Sequence, residues 1–276
     1  YLPEYYINTL RNEKDKVRRQ RLFEGNWEYD EDQNSLITYD ALSDAFSNTI
    51  VKDNQKYLIV DVARFGKDST TINKWYGLEL NKIDVFNKQD TQNTIQKVKD
   101  TASIGQIPWS NIMIDEDGIG GAVVDGMLGV KGFIANSTAL PTRTAINSKI
   151  KYLNDFTPKT NFANLKSQCA FKLASLINEH KIAFNVPEYR EKIIDELTAL
   201  LRHKNVDTDG KLQIKPKDEV KEILGRSPDI GDAIIMRMWY ELKKDAIEEV
   251  NNSAVIQRQN SQFQTNQHNL SKESCK

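Results

Sequence analysis

The sequence predicts an α/β protein built on a mixed sheet, and three observations lead to this fold class. Residues 57–62, YLIVDV, form a short apolar run of the kind found in strands that are buried on both faces. Two segments rich in β-branched and aromatic residues follow across tight turns, which indicates an antiparallel meander. Strand-like and helical segments then alternate, as they do where crossover helices connect the strands of a sheet.

The predicted elements follow one another in the order β-β-β-α-β-α-β. Apolar residues recur with helical spacing between the later strands, for example at Ile95, Val98 and Ala102. The strands are predicted at residues 57–62, 69–76, 83–86, 111–115 and 132–135, and the helices between them at 91–104 and 120–128. Turns are expected at 64–68 and near 79–81.

A long loop is expected after the fifth strand. Residues 136–160 have no clear period and are rich in Asn, Ser, Thr and Lys, and a loop of that length inside a domain is usually functional or mobile. Amphipathic helices follow it. These helices are predicted at 162–176, 193–201 and 228–246, with an edge strand at 182–184 and a hairpin turn at 207–210.

The chain is expected to have three parts. Residues 1–50 are interpreted as an arm or linker, in which basic residues crowd one helical stretch. Residues 51–248 contain the predicted strands and form the folded domain. Residues 249–276 are mostly polar, with many Asn, Gln and Ser, and are predicted to be disordered because they cannot offset their ordering entropy by burial.

Composition excludes several classes of protein. Lys and Arg total 38 against 39 Asp and Glu, so the net charge of −1 lacks the positive excess of many nucleic-acid-binding domains, although a local basic groove stays possible. No apolar run approaches the roughly 18 residues of a membrane span, and the first residues do not resemble a signal peptide. Two cysteines and three histidines are too few for a disulfide framework or a repeated zinc motif. A soluble intracellular protein is expected.

Acidic residues end two predicted buried strands and begin the last helix. Asp61 and Asp115 close their strands, while Asp229 and Asp232 are three residues apart and can share one helix face. A buried carboxylate requires a positive partner or a raised pKa, and Mg²⁺ and Mn²⁺ prefer oxygen ligands. Each acid can also be a turn former, a cap or a complement to the helix dipole, and the spacing alone does not decide between these interpretations.

Three motifs carry a resemblance to a known family. They are residues 61–69, DVARFGKDS, residues 114–128, IDEDGIGGAVVDGML, and residues 227–233, SPDIGDA. In this order and at these separations they resemble the C-terminal nuclease domain of the large terminase subunit of tailed phages, the motor that packages DNA. The resemblance covers roughly residues 15–245.

This resemblance implies a ribonuclease H-like fold and a metal-dependent endonuclease. The implied catalytic and metal-binding residues are Asp61, Asp115 and Asp232, with Asp68, Asp229 and Glu116 as possible auxiliaries. Two Mg²⁺ or Mn²⁺ ions about 4 Å apart would activate a water and stabilise the leaving 3′ oxygen, with Asp61 shared between them.

Several assignments within this site stay open. The run Asp115, Glu116 and Asp117 leaves the second metal ligand ambiguous by one residue or two. The side chain of Asp229 is expected to point outward. Arg64 and Lys67, in the turn beside Asp61, would contact DNA phosphates or be solvated.

The resemblance also implies partners and a location. Concatemeric double-stranded phage DNA would be the substrate. The terminase ATPase domain, the portal protein and the small terminase subunit would be partners, in the cytoplasm of the infected bacterial host. The sequence contains no GxxxxGK[ST] phosphate loop, so no ATPase site is assigned to this chain. Residues 1–50 would then link the nuclease domain to an absent motor domain.

Two other functions stay open. Sugar kinases and actin-like ATPases have a related core, although Asp61 lacks a glycine two residues later and no second phosphate-binding hairpin follows. A module that docks DNA or the portal without cutting is the other alternative. Disrupted acidic motifs would favour it, and the motifs here are intact.

Overall fold

The computed structural model describes residues 3–11, 19, 22–25, 34–51, 53–63, 69–86, 90–141, 161–203 and 210–245. The strands are β1 (Lys56–Asp61), β2 (Thr70–Tyr76), β3 (Glu79–Phe86), β4 (Ile112–Asp115), β5 (Lys131–Phe133) and β6 (Ala183–Phe184). The helices are α1 (Glu4–Arg11), α2 (Tyr39–Asp44), α3 (Thr91–Gly105), α4 (Gly120–Asp125), α5 (Leu165–Asn178), α6 (Arg190–Thr198), α7 (Lys217–Leu224) and α8 (229–245). Short 3-10 turns occupy Trp109–Asn111 and Pro187–Tyr189.

The strands form one mixed sheet in the order β5-β4-β1-β2-β3-β6. β1, β2 and β3 make an antiparallel meander, while β4 runs parallel to β1, β5 parallel to β4, and β6 parallel to β3. The predicted mixed sheet and order of elements are therefore confirmed, including the edge strand near residues 182–184. Among the described helices, none is both long enough and apolar enough to cross a membrane.

The turn between β2 and β3 lies earlier than the sequence predicted. It occupies residues 77–78, and β3 is continuous from Glu79. Gly77 adopts a φ of 57°, a conformation that glycine reaches without strain. The prediction near 79–81 was wrong because Asn81, a common turn residue, lies within the strand beside the buried Leu80.

Alternate residues of the central strands pack on opposite faces of the sheet. Tyr57 and Ile59 belong to the larger core, which α5, α6 and α8 cover, while Leu58 and Val60 belong to the smaller core beneath α3 and α4. In β4, Met113 lies in the larger core and its neighbours Ile112 and Ile114 in the smaller one. Since side chains alternate along a strand, Asp61 and Asp115 project from the face that α8 covers.

The core extends N-terminal to the boundary that the sequence predicted at residue 50. Ile37, Leu42 and Ala45 are buried in the larger core, and the Thr38 hydroxyl caps α2 by accepting the N–H of Ala41. Residues 34–48 thus pack with the folded domain, because the apolar side chains of this segment lie in the larger core. Sequence analysis had assigned this segment to the arm.

Several sequence predictions fall outside the described residues. These are most of the basic stretch in the arm (12–18, 20 and 21), the turn at 64–68, residues 142–160 of the long loop, residues 204–209 at the predicted hairpin turn, and the tail from 246 onward. They stay predictions.

Candidate metal centre

Asp61 and Asp115 end neighbouring parallel strands at the same edge of the sheet. Val60 is paired with Ile114 in the β1–β4 register, so the next residue of each strand is an aspartate. Asp61 is 6% exposed and Asp115 is partly buried. The parallel arrangement therefore places two carboxylates side by side at the C-terminal ends of these strands, directly after their buried apolar residues.

Asp232 reaches this edge from the first turn of α8. Its backbone N–H donates to the Pro228 carbonyl at 2.8 Å, and its side chain is 6% exposed. Both of its carboxylate oxygens are held by lysines: Lys166 Nζ lies 2.7 Å from Oδ1, and Lys217 Nζ lies 2.9 Å from Oδ2. These lysines lie at the starts of α5 and α7, so three helices converge on one carboxylate.

The pKa of Asp61 is affected by burial and by the charges of its neighbours. Burial raises its pKa well above the ordinary value. Lys217 opposes this shift, while Asp232, Asp115 and Asp229 add to it. Burial also raises the pKa of Asp115, where a hydrogen bond from the backbone of Asp117 and the charge of Lys217 act in the opposite direction.

Asp232 and Lys217 are stabilised in their charged forms. Burial alone would raise the pKa of Asp232, but the charges and hydrogen bonds of Lys166 and Lys217 outweigh it and lower the pKa. Burial would lower the pKa of Lys217, but Asp232, Asp61 and Asp115 raise it above the ordinary lysine value. Lys217 is therefore an ammonium group placed among three carboxylates.

The acids do not form a ready-made metal cage. Among the residues that the structure describes, no three His, Cys, Asp or Glu side chains are grouped closely enough to hold an ion together. The sequence predicted three carboxylates around a shared cation, and the structure instead shows them sharing lysine charge. Their role as metal ligands stays a prediction.

Of the consecutive acids Asp115, Glu116 and Asp117, Asp115 is the one whose charge acts on Asp61. Glu116 lies over β5, where its Oε2 fills the space that a side chain at Gly132 would need. Asp117 accepts the N–H of Ala135 at 3.2 Å and donates its own N–H to Asp115 Oδ1. The geometry thus favours Asp115 over Glu116 and Asp117 as the acid that faces Asp61.

Asp229 does not point outward as expected. It is 7% exposed, and its Oδ2 accepts the N–H of Ser69 at 3.1 Å. The Thr71 hydroxyl donates to its backbone carbonyl at 3.4 Å. Asp229 therefore ties the start of α8 to β2, the strand beside Asp61. Three other predicted site residues belong to the turn between β1 and β2. These residues, Arg64, Lys67 and Asp68, lie outside the described residues.

Glu196 of α6 holds the same helix start from the other side. Its Oε2 accepts the N–H of Gly231 at 2.6 Å, and its Oε1 pairs with the Arg226 guanidinium. The Glu196 side chain is fully buried, and a side chain at Gly231 would be only 3.2 Å from Glu196 Cβ. Glu196 thus fixes the residue that immediately precedes Asp232.

Sequence analysis missed the basic residues of the centre and Glu196. A carboxylate at a buried position requires a positive partner. The acids that end the apolar runs therefore indicated that a basic residue lies nearby, but they did not indicate which one. Lys166 and Lys217 are 51 positions apart (217 − 166), and only tertiary packing brings them to the same carboxylate.

The sheet and its acidic edge define a class of protein. An antiparallel β1–β2–β3 meander joined to parallel β4 and β5, with helices on both faces, is the ribonuclease H-like fold. Here acids lie at the ends of β1 and β4 and at the start of α8.

Solved structures of phage proteins share this fold. The nuclease domain of the large terminase subunit gp2 of bacterial virus Sf6 aligns with a TM-score of 0.59 and 18% identity, over 74% of this chain and 98% of that domain. A mutant of that domain solved with manganese and beta-thujaplicinol aligns with the same values, and one with calcium has a TM-score of 0.58. No protein-family model and no curated protein matches the sequence.

Proposed function

We propose that this chain is the nuclease domain of a phage terminase large subunit, a divalent-metal-dependent endonuclease that cuts concatemeric double-stranded DNA during packaging. The observation that carries the proposal is that Asp61 and Asp115 end neighbouring parallel strands, and that Lys217, which pairs with Asp232, also acts on both of them. It occurs in the fold of the Sf6 terminase nuclease domain. Double-stranded DNA is the proposed substrate, since DNA cutting is the activity that this combination of fold and acids supports.

The donor chemistry of the centre fits Mg²⁺ or Mn²⁺. The side chains offer carboxylate oxygens, which hard divalent cations prefer. The pKa of Asp61 is raised by burial and by three neighbouring carboxylates, and a cation between these groups would relieve that repulsion. The related Sf6 domain has been solved with manganese and with calcium. Asp61 would be shared between two ions, with Asp115 and Asp232 each binding one.

The auxiliary residues have unequal support. Asp229 is close enough to raise the pKa of Asp61, so it is a plausible outer ligand or positioning group. Glu116 packs over Gly132 and is the weaker choice. Asp68 stays a proposal from the sequence alone, as do Arg64 and Lys67 as phosphate contacts.

The lysines give the centre a defined way to accept metal. Lys166 and Lys217 keep Asp232 ionised and fix both of its oxygens. A cation at Asp232 Oδ2 would compete with the Lys217 ammonium for that oxygen. The displaced ammonium would remain beside the acids, where it can donate to a non-bridging oxygen of the DNA phosphate. When bound, the cations would activate the attacking water and stabilise the leaving 3′ oxygen.

The wider assembly follows from the same proposal. The chain would work with a terminase ATPase domain, the portal protein and the small terminase subunit, in the cytoplasm of the infected host. The structural likeness to the nuclease domain of the Sf6 large terminase subunit supports this assignment. The structural likeness does not favour the sugar kinase or actin-like alternative.

Nicking of supercoiled plasmid in Mn²⁺ tests the proposal. The chain should convert supercoiled DNA to open-circular and linear forms, EDTA should stop the reaction, and Asp61→Asn should abolish it. Asp125→Asn, which removes an exposed carboxylate at the end of α4, is the matched control and should cut normally. DNA binding without any cutting would support the docking module instead, and tight ATP binding by calorimetry would support the phosphotransferase.

A further inference from the structure

An open cleft of about 630 Å³ lies next to the acidic centre. Lys192 of α6, Lys221 of α7 and Arg226 of the loop before α8 contribute its positive charges. Asp229 and Ser69 also line it, and they are joined by the hydrogen bond from the Ser69 N–H. Because Asp229 and Asp232 both lie in the first turn of α8, the cleft adjoins the helix start that carries the acidic centre.

The basic side chains of the cleft are available to a ligand. Within the described part of the chain, neither Lys192 nor Lys221 forms an ion pair, although the charge of Lys192 acts on the carboxylate of Glu196. Arg226 is 36% exposed and is held by its ion pair with the buried Glu196. A fixed guanidinium costs less conformational entropy to engage than a free one. Lys192, Lys221 and Arg226 line the cleft with Asp229 and Glu222, and since Glu196 already pairs with Arg226, the two lysines are the cations that are free of an ion pair.

We propose that this cleft binds the phosphate backbone of duplex DNA beside the acidic centre, with Lys192, Lys221 and Arg226 as the phosphate contacts. The inference rests on the proposed nuclease function and adds the surface that holds its substrate. Contacts of this kind position a duplex without reading its sequence.

The composition of the lining favours a backbone over a free nucleotide. The described residues around the cleft include no aromatic or aliphatic side chain to cover a base, whereas small-molecule sites are mostly apolar with a few polar groups. An open cleft with unpaired lysines suits a polyanion that continues beyond it. ATP and duplex DNA share phosphate chemistry, so the test includes both.

Binding is measured without metal, which separates the cleft from catalysis. A fluorescein-labelled duplex of about 20 base pairs is titrated with the full chain in EDTA, and fluorescence polarisation is followed over a range of salt concentrations. Lys192→Ala/Lys221→Ala is the test variant. Lys99→Ala/Lys131→Ala is the control, because it removes the same charge from α3, on the other sheet face, and from the exposed start of β5. Melting curves of all proteins verify folding.

The expected result is specific to the cleft. The cleft variant should bind the duplex about tenfold more weakly, and its plot of log affinity against log salt should be shallower by about 2, since each phosphate contact contributes about 0.9. The control should match the wild type in both. ATP added at constant ionic strength should not displace the duplex at micromolar concentration. Unchanged affinity of the cleft variant, an equal loss in the control, displacement by micromolar ATP, or no duplex binding by the wild type would each overturn the proposal.

The outcomes for the cleft and for the nuclease are distinguishable. Wild-type cutting together with normal duplex binding by the cleft variant would refute the cleft and leave the nuclease. Cleft-dependent binding without metal-dependent cutting would leave the cleft as a DNA surface and refute the nuclease.

Discussion

Lys217 Nζ lies 2.9 Å from Asp232 Oδ2 and at the same time opposes the rise in the pKa of Asp61. One ammonium group thus compensates carboxylates from two different elements, the strand β1 and the helix α8. Crowded carboxylates repel one another unless positive charge lies between them. Lys217 therefore competes for the position that a divalent cation would need, and this relationship determines how the centre responds to mutation.

Replacing Lys217 should tighten metal binding. In Lys217→Ala, Asp232 Oδ2 loses its ammonium partner, and Asp61 loses the positive charge that lowers its pKa. We expect the dissociation constant for Mn²⁺, measured by isothermal titration calorimetry at pH 8, to fall about tenfold, equivalent to about 1.4 kcal/mol. The melting temperature in EDTA should fall, since a buried carboxylate is left with one lysine instead of two.

The control for this variant is Lys215→Ala. Lys215 is two residues away and lies 3.7 Å from Glu219, not in contact with Asp232. It should leave both the Mn²⁺ affinity and the melting temperature almost unchanged. Weaker Mn²⁺ binding in Lys217→Ala would show that the lysine supports metal binding and does not compete with it.

Replacing Asp61 should stabilise the protein in EDTA while removing metal binding. Its charged form is disfavoured by burial and by three carboxylates, so Asp61→Asn removes that penalty. We expect the melting temperature in EDTA at pH 8 to rise by about 2–4 °C, the change that roughly 1 kcal/mol produces in a chain of this size. Mn²⁺ should then give no further rise, whereas it should stabilise the wild type by mass action. Asp125→Asn should behave as wild type in both measurements.

Much of the acidic centre could be predicted from the sequence, because strand geometry determines it. An apolar run that ends in Asp61 and another that ends in Asp115 predict two carboxylates at one edge once the strands are parallel neighbours. The alternation of side chains also decides which face they occupy. The order of strands and helices along the chain, and the antiparallel meander, also followed from hydrophobic patterning and short connections.

Other features depend on packing that no local pattern encodes. The lysines at Asp232 come from the starts of two helices that are distant in sequence. The inward position of Asp229 depends on its bond to the Ser69 N–H of another element. The burial of Ile37 and Leu42 depends on helices that lie more than 100 residues later. Sequence patterns describe single helices and strands well. These three features could not be predicted from them because each depends on contacts between different elements.

The affinity for metal should increase with pH. The folded-state pKa of Asp61 is above its ordinary value of 3.8, so in the window between these values the folded protein keeps a proton that the unfolded chain has lost. Metal must displace that proton. The rise in melting temperature produced by Mn²⁺ should therefore be small at pH 5 and should grow toward pH 8. A rise that is the same at both pH values would contradict the raised pKa.

In EDTA, the contribution of Asp61 to stability should depend on pH in the opposite direction, so that it decreases as pH rises. A carboxyl with a raised folded pKa stabilises the folded state more as pH falls toward 3.8, so the advantage of Asp61→Asn over the wild type should shrink between pH 8 and pH 5. Asp232 acts in the other direction, since its lowered pKa contributes stability that is lost only as pH falls below the ordinary aspartate range. Comparing the variant with the wild type isolates the contribution of Asp61.

The last prediction concerns Glu196, which positions the helix that carries Asp232. Glu196→Ala leaves the Gly231 N–H and the Arg226 guanidinium without the carboxylate that now accepts from both. Because Gly231 N–H is left buried without an acceptor while Arg226 is partly exposed, this should destabilise the fold by about 1–3 kcal/mol in urea denaturation. Glu196→Gln keeps an acceptor for Gly231 while losing the charge that pairs with Arg226, so it should cost less. If Glu196 positions Asp232, Glu196→Ala should also weaken Mn²⁺ binding at a temperature where the protein remains folded, and Glu196→Gln should restore most of it. Normal Mn²⁺ affinity in folded Glu196→Ala would restrict Glu196 to a stabilising role.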